Sequence, residues 1–104
     1  FFDQALKNKP HDSEIIYKKS LAFSSQQKYD LSVLCLEQIS ETNKLYDFAQ
    51  YQKSKVQMLQ GHTKQSLEIL SKITKSNDFF KLMASDEIIF ESISVTTEFQ
   101  ELIK

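Results

Sequence analysis

The sequence predicts an all-α chain folded as a right-handed α-solenoid of antiparallel helix pairs, and three observations carry that prediction. Residues recur at a fixed offset of 34: Tyr17 with Tyr51, Lys19 with Lys53, Ser20 with Ser54, Ser32 with Ser66, Leu36 with Leu70, and Ile39 with Ile73. Going backwards, Phe2 and Ala5 stand at the same offset from Leu36 and Ile39. A period of this length with two helical segments per unit marks a stack of helix pairs. The 104 residues include a single Gly and a single Pro, which leaves little material for turns between strands. The stretch 28–41 is apolar over a wide arc (Leu31, Val33, Leu34, Cys35, Leu36, Ile39), as suits a helix with neighbours on two sides.

Each element follows from local chemistry. Residues 1–10 read as the second helix of a truncated repeat: Phe2, Ala5 and Leu6 make a stripe at i, i+3, i+4, and Pro10 ends it. The repeat 12–44 opens where Asp12 or Ser13 caps a helix and Glu14 favours its first turn. That helix runs to about 26 with Ile16, Ser20 and Phe23 on one face, Ser20 being small enough for a close helix crossing. Its partner spans 28–41, and Thr42, Asn43 and Lys44 make the turn. The repeat 45–78 has helices over 46–60 and 63–75, with Gly61 closing the first in the left-handed conformation. From 79 the residue match fades, and 79–104 reads as capping helices. There a start over 79–84 is followed by a fresh N-terminus at Ser85, Asp86 and Glu87. A short helix carries Ile88, Ile89, Phe90 and Ile93, and Thr96 caps a last one with Phe99, Leu102 and Ile103. Solenoid ends are atypical because they close the core against water.

With these residues in place, the chain resembles the tetratricopeptide repeat family over essentially its whole length. The small-x-x-x-large step of the family's second helix matches Ser32-x-x-x-Leu36 and Ser66-x-x-x-Leu70. The turn glycine is matched by Gly61, with Gln27 in its place one repeat earlier, and the closing proline by Pro10, with Lys44 in its place afterwards. The large aromatic expected early in each first helix is replaced by Ile16 and Gln50. The ending ASDEIIFESISVTTEFQELIK is similar to the terminal segment of such arrays. The resemblance implies the C-terminal part of an array and a non-catalytic module that binds a peptide segment of another protein. The alternative expectation is a regulatory or oligomerisation segment whose groove goes unused.

Charge and composition weigh against other classes. The net charge is −1 and every basic residue is Lys, so no guanidinium is available for forked readout of phosphate or guanine; no nucleic-acid partner is expected. Residues 1–76 carry eleven Lys against eight acids, and 78–104 two Lys against six acids, a mild asymmetry. No apolar run reaches the roughly 18–20 residues of a membrane span. The lone Cys35 forms no internal disulfide, which is compatible with a reducing compartment and favours the cytoplasm. It lies on the most apolar helix, while His11 and His62 fall in turns, so a Cys–His catalytic pair is not expected. Asp86, Glu87 and Glu91 lack an orienting His and read as a solvated face; neither metal nor cofactor is expected, and no enzyme. The opening FFDQALKNKP, without Met, reads as internal to a longer protein. Phe1, Phe2 and Leu6 are then expected to stay partly exposed or to pair with a second copy in a homodimer.

The positive functional signal lies on the first helix of each pair, which lines the concave side of such a stack. Repeat-related positions there place Tyr17 and Leu21 in one repeat and Phe48, Tyr51, Lys55 and Met58 in the next, the expected peptide-binding groove. Tyr17 and Tyr51 are the expected anchors, because Tyr adds contact area at low rotamer cost; the alternative is that both pack against the adjacent repeat.

Overall fold

Two turns, 34 residues apart, fix the geometry of the chain. At Gln27 the backbone takes φ of 63°, and at Gly61 it takes 85°. Both follow the same bonds: Gln27 N donates to Ser24 O and Gly61 N to Met58 O, then Lys28 N donates to Phe23 O and His62 N to Gln57 O, each at 2.8 Å in the latter pair. Each turn satisfies the carbonyls left open at a helix C-terminus by a left-handed residue. The glycine expected at the second turn is there for that reason. At the first turn Gln27 adopts the same conformation with a side chain attached.

In the computed structural model residues 13–104 are described. They form α1 (Ser13–Ser25), α2 (Tyr29–Glu37), α3 (Tyr46–Leu59), α4 (Thr63–Ser76), α5 (Phe79–Asp86), a 3-10 segment (Ile88–Ile93) and α6 (Thr97–Leu102). No strand occurs among the described residues, so the fold is all-helical there. The helix expected over 1–10, its apolar stripe Phe1, Phe2 and Leu6, the homodimer built on it, and His11 lie outside the described residues.

The starts of the helices keep time with one another. α3 and α5 begin at Tyr46 and Phe79, 33 residues apart; α2, α4 and α6 begin at Tyr29, Thr63 and Thr97, 34 apart. The last part of the chain, where the residue match fades, therefore keeps the spacing of the first two units. A side chain shows why. Asn43 Oδ1 accepts from Leu45 N at 2.8 Å, and Asn77 Oδ1 accepts from Phe79 N at 2.9 Å, so the same Asx turn launches α3 and α5.

Helix pairing is fixed by buried serines. Ser20, Ser32, Ser54 and Ser66 are all fully buried. Ser32 Oγ donates to Ser20 O at 2.8 Å, and Ser66 Oγ to Ser54 O at 2.7 Å, tying α2 to α1 and α4 to α3 by one repeated bond. Ser20 and Ser54 each turn their own hydroxyl back onto Tyr17 O and Tyr51 O at 2.6 Å. The small side chain lets the backbones approach, and the hydroxyl satisfies itself without a second polar partner.

Apolar packing divides into two clusters that meet on α3. The first holds Ile16, Cys35, Leu36, Ile39 and Ala49, with Tyr17 and Phe23 against it. The second holds Tyr51, Leu70, Ile73, Phe80, Ala84, Phe90, Ile93 and Phe99. Leu36 and Leu70, repeat-related, are each fully buried and contribute about 1.5–3 kcal/mol apiece. α2 is tied to α3 by Glu37 to Lys53 at 3.6 Å and by Gln60 Nε2 donating to Asp30 Oδ1 at 2.7 Å.

Boundaries differ from expectation in two places. α2 stops at Glu37, short of the expected 41, because the hydroxyls of Ser40 and Thr42 and the side-chain oxygen of Asn43 bind the local turn instead. α5 runs through Ser85 and Asp86, and the break comes at Glu87, where the backbone extends (ψ 120°) before the 3-10 segment. Thr96 caps α6 as expected, its Oγ1 accepting from Phe99 N at 3.3 Å.

Candidate functional site

The six expected groove residues have separate fates in the fold. Leu21 on α1 and Phe48 on α3 are each 40% exposed. Tyr17 is half-buried and packs on the first apolar cluster. Met58 is half-buried against the second cluster. Lys55 is half-buried with its Nζ 3.4 Å from Glu87 Oε2 and 5.6 Å above the Tyr51 ring centroid. Tyr51 is only 3% exposed.

Tyr51 packs into the interior and leaves almost none of its surface open. The reason is the C-terminal part of the chain: Phe80 and Phe90 bring their rings to 5.7 and 6.1 Å from the Tyr51 ring, so this face of α3 is occupied from within. The Tyr51 hydroxyl makes no hydrogen bond among the described residues, although it is buried. Burial pushes its pKa well above the ordinary value near 10, and the Glu87 carboxylate and the Tyr17 phenol add in the same direction. Tyr17 is raised too, by burial. Both phenols therefore stay protonated at neutral pH and carry no charge to a ligand.

What remains open is an aromatic edge that sequence reading did not assemble. Phe48 and Phe79 meet edge to face at 6.3 Å, and both rings also touch Phe80, at 5.4 and 5.8 Å. Phe80 is buried and fixes them from below, whereas Phe79 is 49% and Leu82, one turn on, 68% exposed. Such pairs are worth about 0.5–1.5 kcal/mol beyond their buried area, so the two exposed rings are held rather than loose. The signal for Phe79 was present in the sequence: Asn77 repeats Asn43, and an Asx turn there sends one of two adjacent Phe inward and the other outward.

The arrangement has the chemistry of an apolar contact surface with polar margins. Among the described residues no group of three or more His, Cys, Asp or Glu is placed to hold a metal. Cys35 is buried on α2, and His62 is exposed at the turn before α4. Among the described residues no helix is long and apolar enough to cross a membrane. Compared with protein-family models, curated proteins and solved structures, the chain matches none of them.

Proposed function

We propose that this chain is a non-catalytic interaction module, a tetratricopeptide-like stack of antiparallel helix pairs with right-handed superhelical sense, that holds a peptide segment of another protein. The observation that supports the reading best is the aromatic edge: Phe48 and Phe79, on the first helices of successive pairs, both pack on the buried Phe80 and stand 40% and 49% exposed. Rings of this kind, fixed from below and open above, are what protein contacts use as anchors. The site is accordingly narrowed to Leu21, Phe48, Phe79 and Leu82, with Tyr17 at its margin. Tyr51 packs against Phe80 behind this surface, while Lys55 is held by Glu87 and Met58 by the second apolar cluster, and none of the three is assigned to the partner. One observation favours the second reading, a regulatory or oligomerisation segment: the cap itself fills the groove over Tyr51.

The test is selection from a displayed peptide library against the chain, followed by affinity measurement on the recovered sequences. Binding in the micromolar range, on the order of −8 kcal/mol, is expected. Leu21→Ser and Phe48→Ser together, in a variant whose helical circular dichroism is unchanged, should weaken it at least tenfold. Recovery of no peptide, or equal binding to wild type and variant, overturns the reading.

A further inference from the structure

Away from the aromatic edge, a trough runs between α4 and α6 that the proposed function does not use. Its wider part has a volume of about 870 Å³ and its continuation toward α5 about 390 Å³; Leu67, Ser71, Lys75 and Glu98 line both. Leu67 and Ile93 give it an apolar floor. Lys64, Lys72 and Lys75 stand along the α4 wall, all exposed, and none has an ion-pair partner among the described residues. Glu68 interrupts them, and Glu98 stands on the opposite wall.

The preceding repeat shows how such a wall is normally used. The matching cleft, lined by residues that include Asp30 and Gln60, is smaller, about 490 Å³. There Asp30 on α2 accepts from Gln60 Nε2, and Glu37 pairs with Lys53, so acids on the second helix meet donors on the helix that follows. Thirty-four residues on, Asp30 becomes Lys64 and Glu37 becomes Ser71, while the residues matching Gln60 and Lys53 are Ser94 and Glu87. Glu87 is taken by Lys55, and Ser94 Oγ bonds Glu91 O. The α4 wall has thus changed sign, and the acids that the cap places along the trough, Glu98 and Glu101, pair with none of these lysines among the described residues. α6, six residues long, is also too short to run beside the fourteen of α4.

We infer that this trough docks an amphipathic helix of another protein that carries acids along one flank and aliphatic side chains toward Leu67 and Ile93. The spacing sets its design. Lys64 to Lys75 spans eleven residues of helix, roughly 16 Å, so about three turns of the incoming helix lie along the wall. Charge complementarity specifies the flank, and the apolar floor supplies the contact.

The probe is a labelled helical peptide of five turns with three Glu spaced along one flank and Leu on the adjoining stripe. Its controls are a composition-matched scramble and the same peptide with Lys in place of Glu, all read by fluorescence anisotropy. The acidic peptide should bind the chain at least tenfold more tightly than either control. Lys64→Glu, Lys72→Glu and Lys75→Glu together, on a surface where folding is not at stake, should abolish that preference and transfer it to the Lys peptide. The Leu21→Ser/Phe48→Ser variant should bind the acidic peptide as wild type does, which separates this surface from the aromatic edge. Equal binding of the scramble, or acidic-peptide binding unchanged by the three substitutions, overturns the inference. So does a dimer in sedimentation that the three substitutions dissolve, because the trough would then be filled by a second copy.

Discussion

Gln27 and Tyr51 each hold a residue-scale cost that a neighbour in the repeat avoids. Gln27 sits at φ 63°, where its repeat partner is Gly61 at 85°. A side chain in the left-handed region costs about 1 kcal/mol or more, partly offset by the greater freedom glycine gains on unfolding. Gln27→Gly should therefore raise stability by about 0.5–1 kcal/mol in urea melts. Gly61→Ala should lower it by a similar amount although, beyond the two neighbouring residues, no atom lies within 4 Å of the added Cβ. A loss of stability in Gln27→Gly would mean that the exposed Gln27 side chain contributes more than its backbone costs. Tyr51 buries a hydroxyl with no partner among the described residues, so Tyr51→Phe is expected to be neutral or stabilising at pH 7. Its raised pKa has a further consequence. The folded state holds the phenolic proton more tightly than the unfolded chain, so this contribution is whole below pH 10 and lost as the pH rises beyond it. Wild-type stability should fall between pH 9 and pH 11 more steeply than that of Tyr51→Phe; parallel curves would rule the account out.

At the scale of elements, the sequence revealed the pairs better than it revealed what covers them. The offset of 34 located Ser20, Ser32, Ser54 and Ser66, and all four are buried and bonded across the helix crossings. It also located Gly61, and Thr96 was legible as a cap from hydroxyl chemistry alone. The third unit was harder, because its apolar residues do not match those upstream. Its register is carried by Asn77, whose turn repeats that of Asn43, and a single polar residue is a weak signal beside a missing Leu. The burial of Tyr51 was not legible for a different reason. Whether a residue on a first helix faces a groove or a core depends on the element that arrives later, and here the 3-10 segment brings Phe90 onto it. A break after eight helical residues at Glu87 leaves no mark in local propensity strong enough to predict. The cap's own energetics argue against its acting as a lid over Tyr51. Releasing it exposes Phe80, Phe90 and Phe99, each 1% accessible, at about 1.5–3 kcal/mol apiece. The Lys55–Glu87 pair, by contrast, contributes on the order of 1 kcal/mol or less.

Across the whole molecule, stability should be uneven, because the apolar packing divides into two clusters of different content. The cluster around α4, α5 and α6 contains three fully buried Phe with Leu70, Ile73 and Tyr51, whereas the cluster around α1 and α2 contains no buried aromatic among the described residues. For a chain of this length total stability is about 5–15 kcal/mol, so two or three extra buried rings are a large share of it. Amides of α1 and α2 should then exchange with solvent through a partial opening that leaves α4 closed, and those in the middle of α4 only through global unfolding. Phe90→Ala tests the cause. Removing the ring should cost about 3–5 kcal/mol, and the loss should fall on α4, whose protection drops to that of α2 or below. Native-state hydrogen exchange read helix by helix, in wild type and variant, decides the matter. If α1 and α2 outlast α4 in the wild type, or if Phe90→Ala lowers both halves equally, the chain behaves as one cooperative block and the division into two clusters has no energetic meaning.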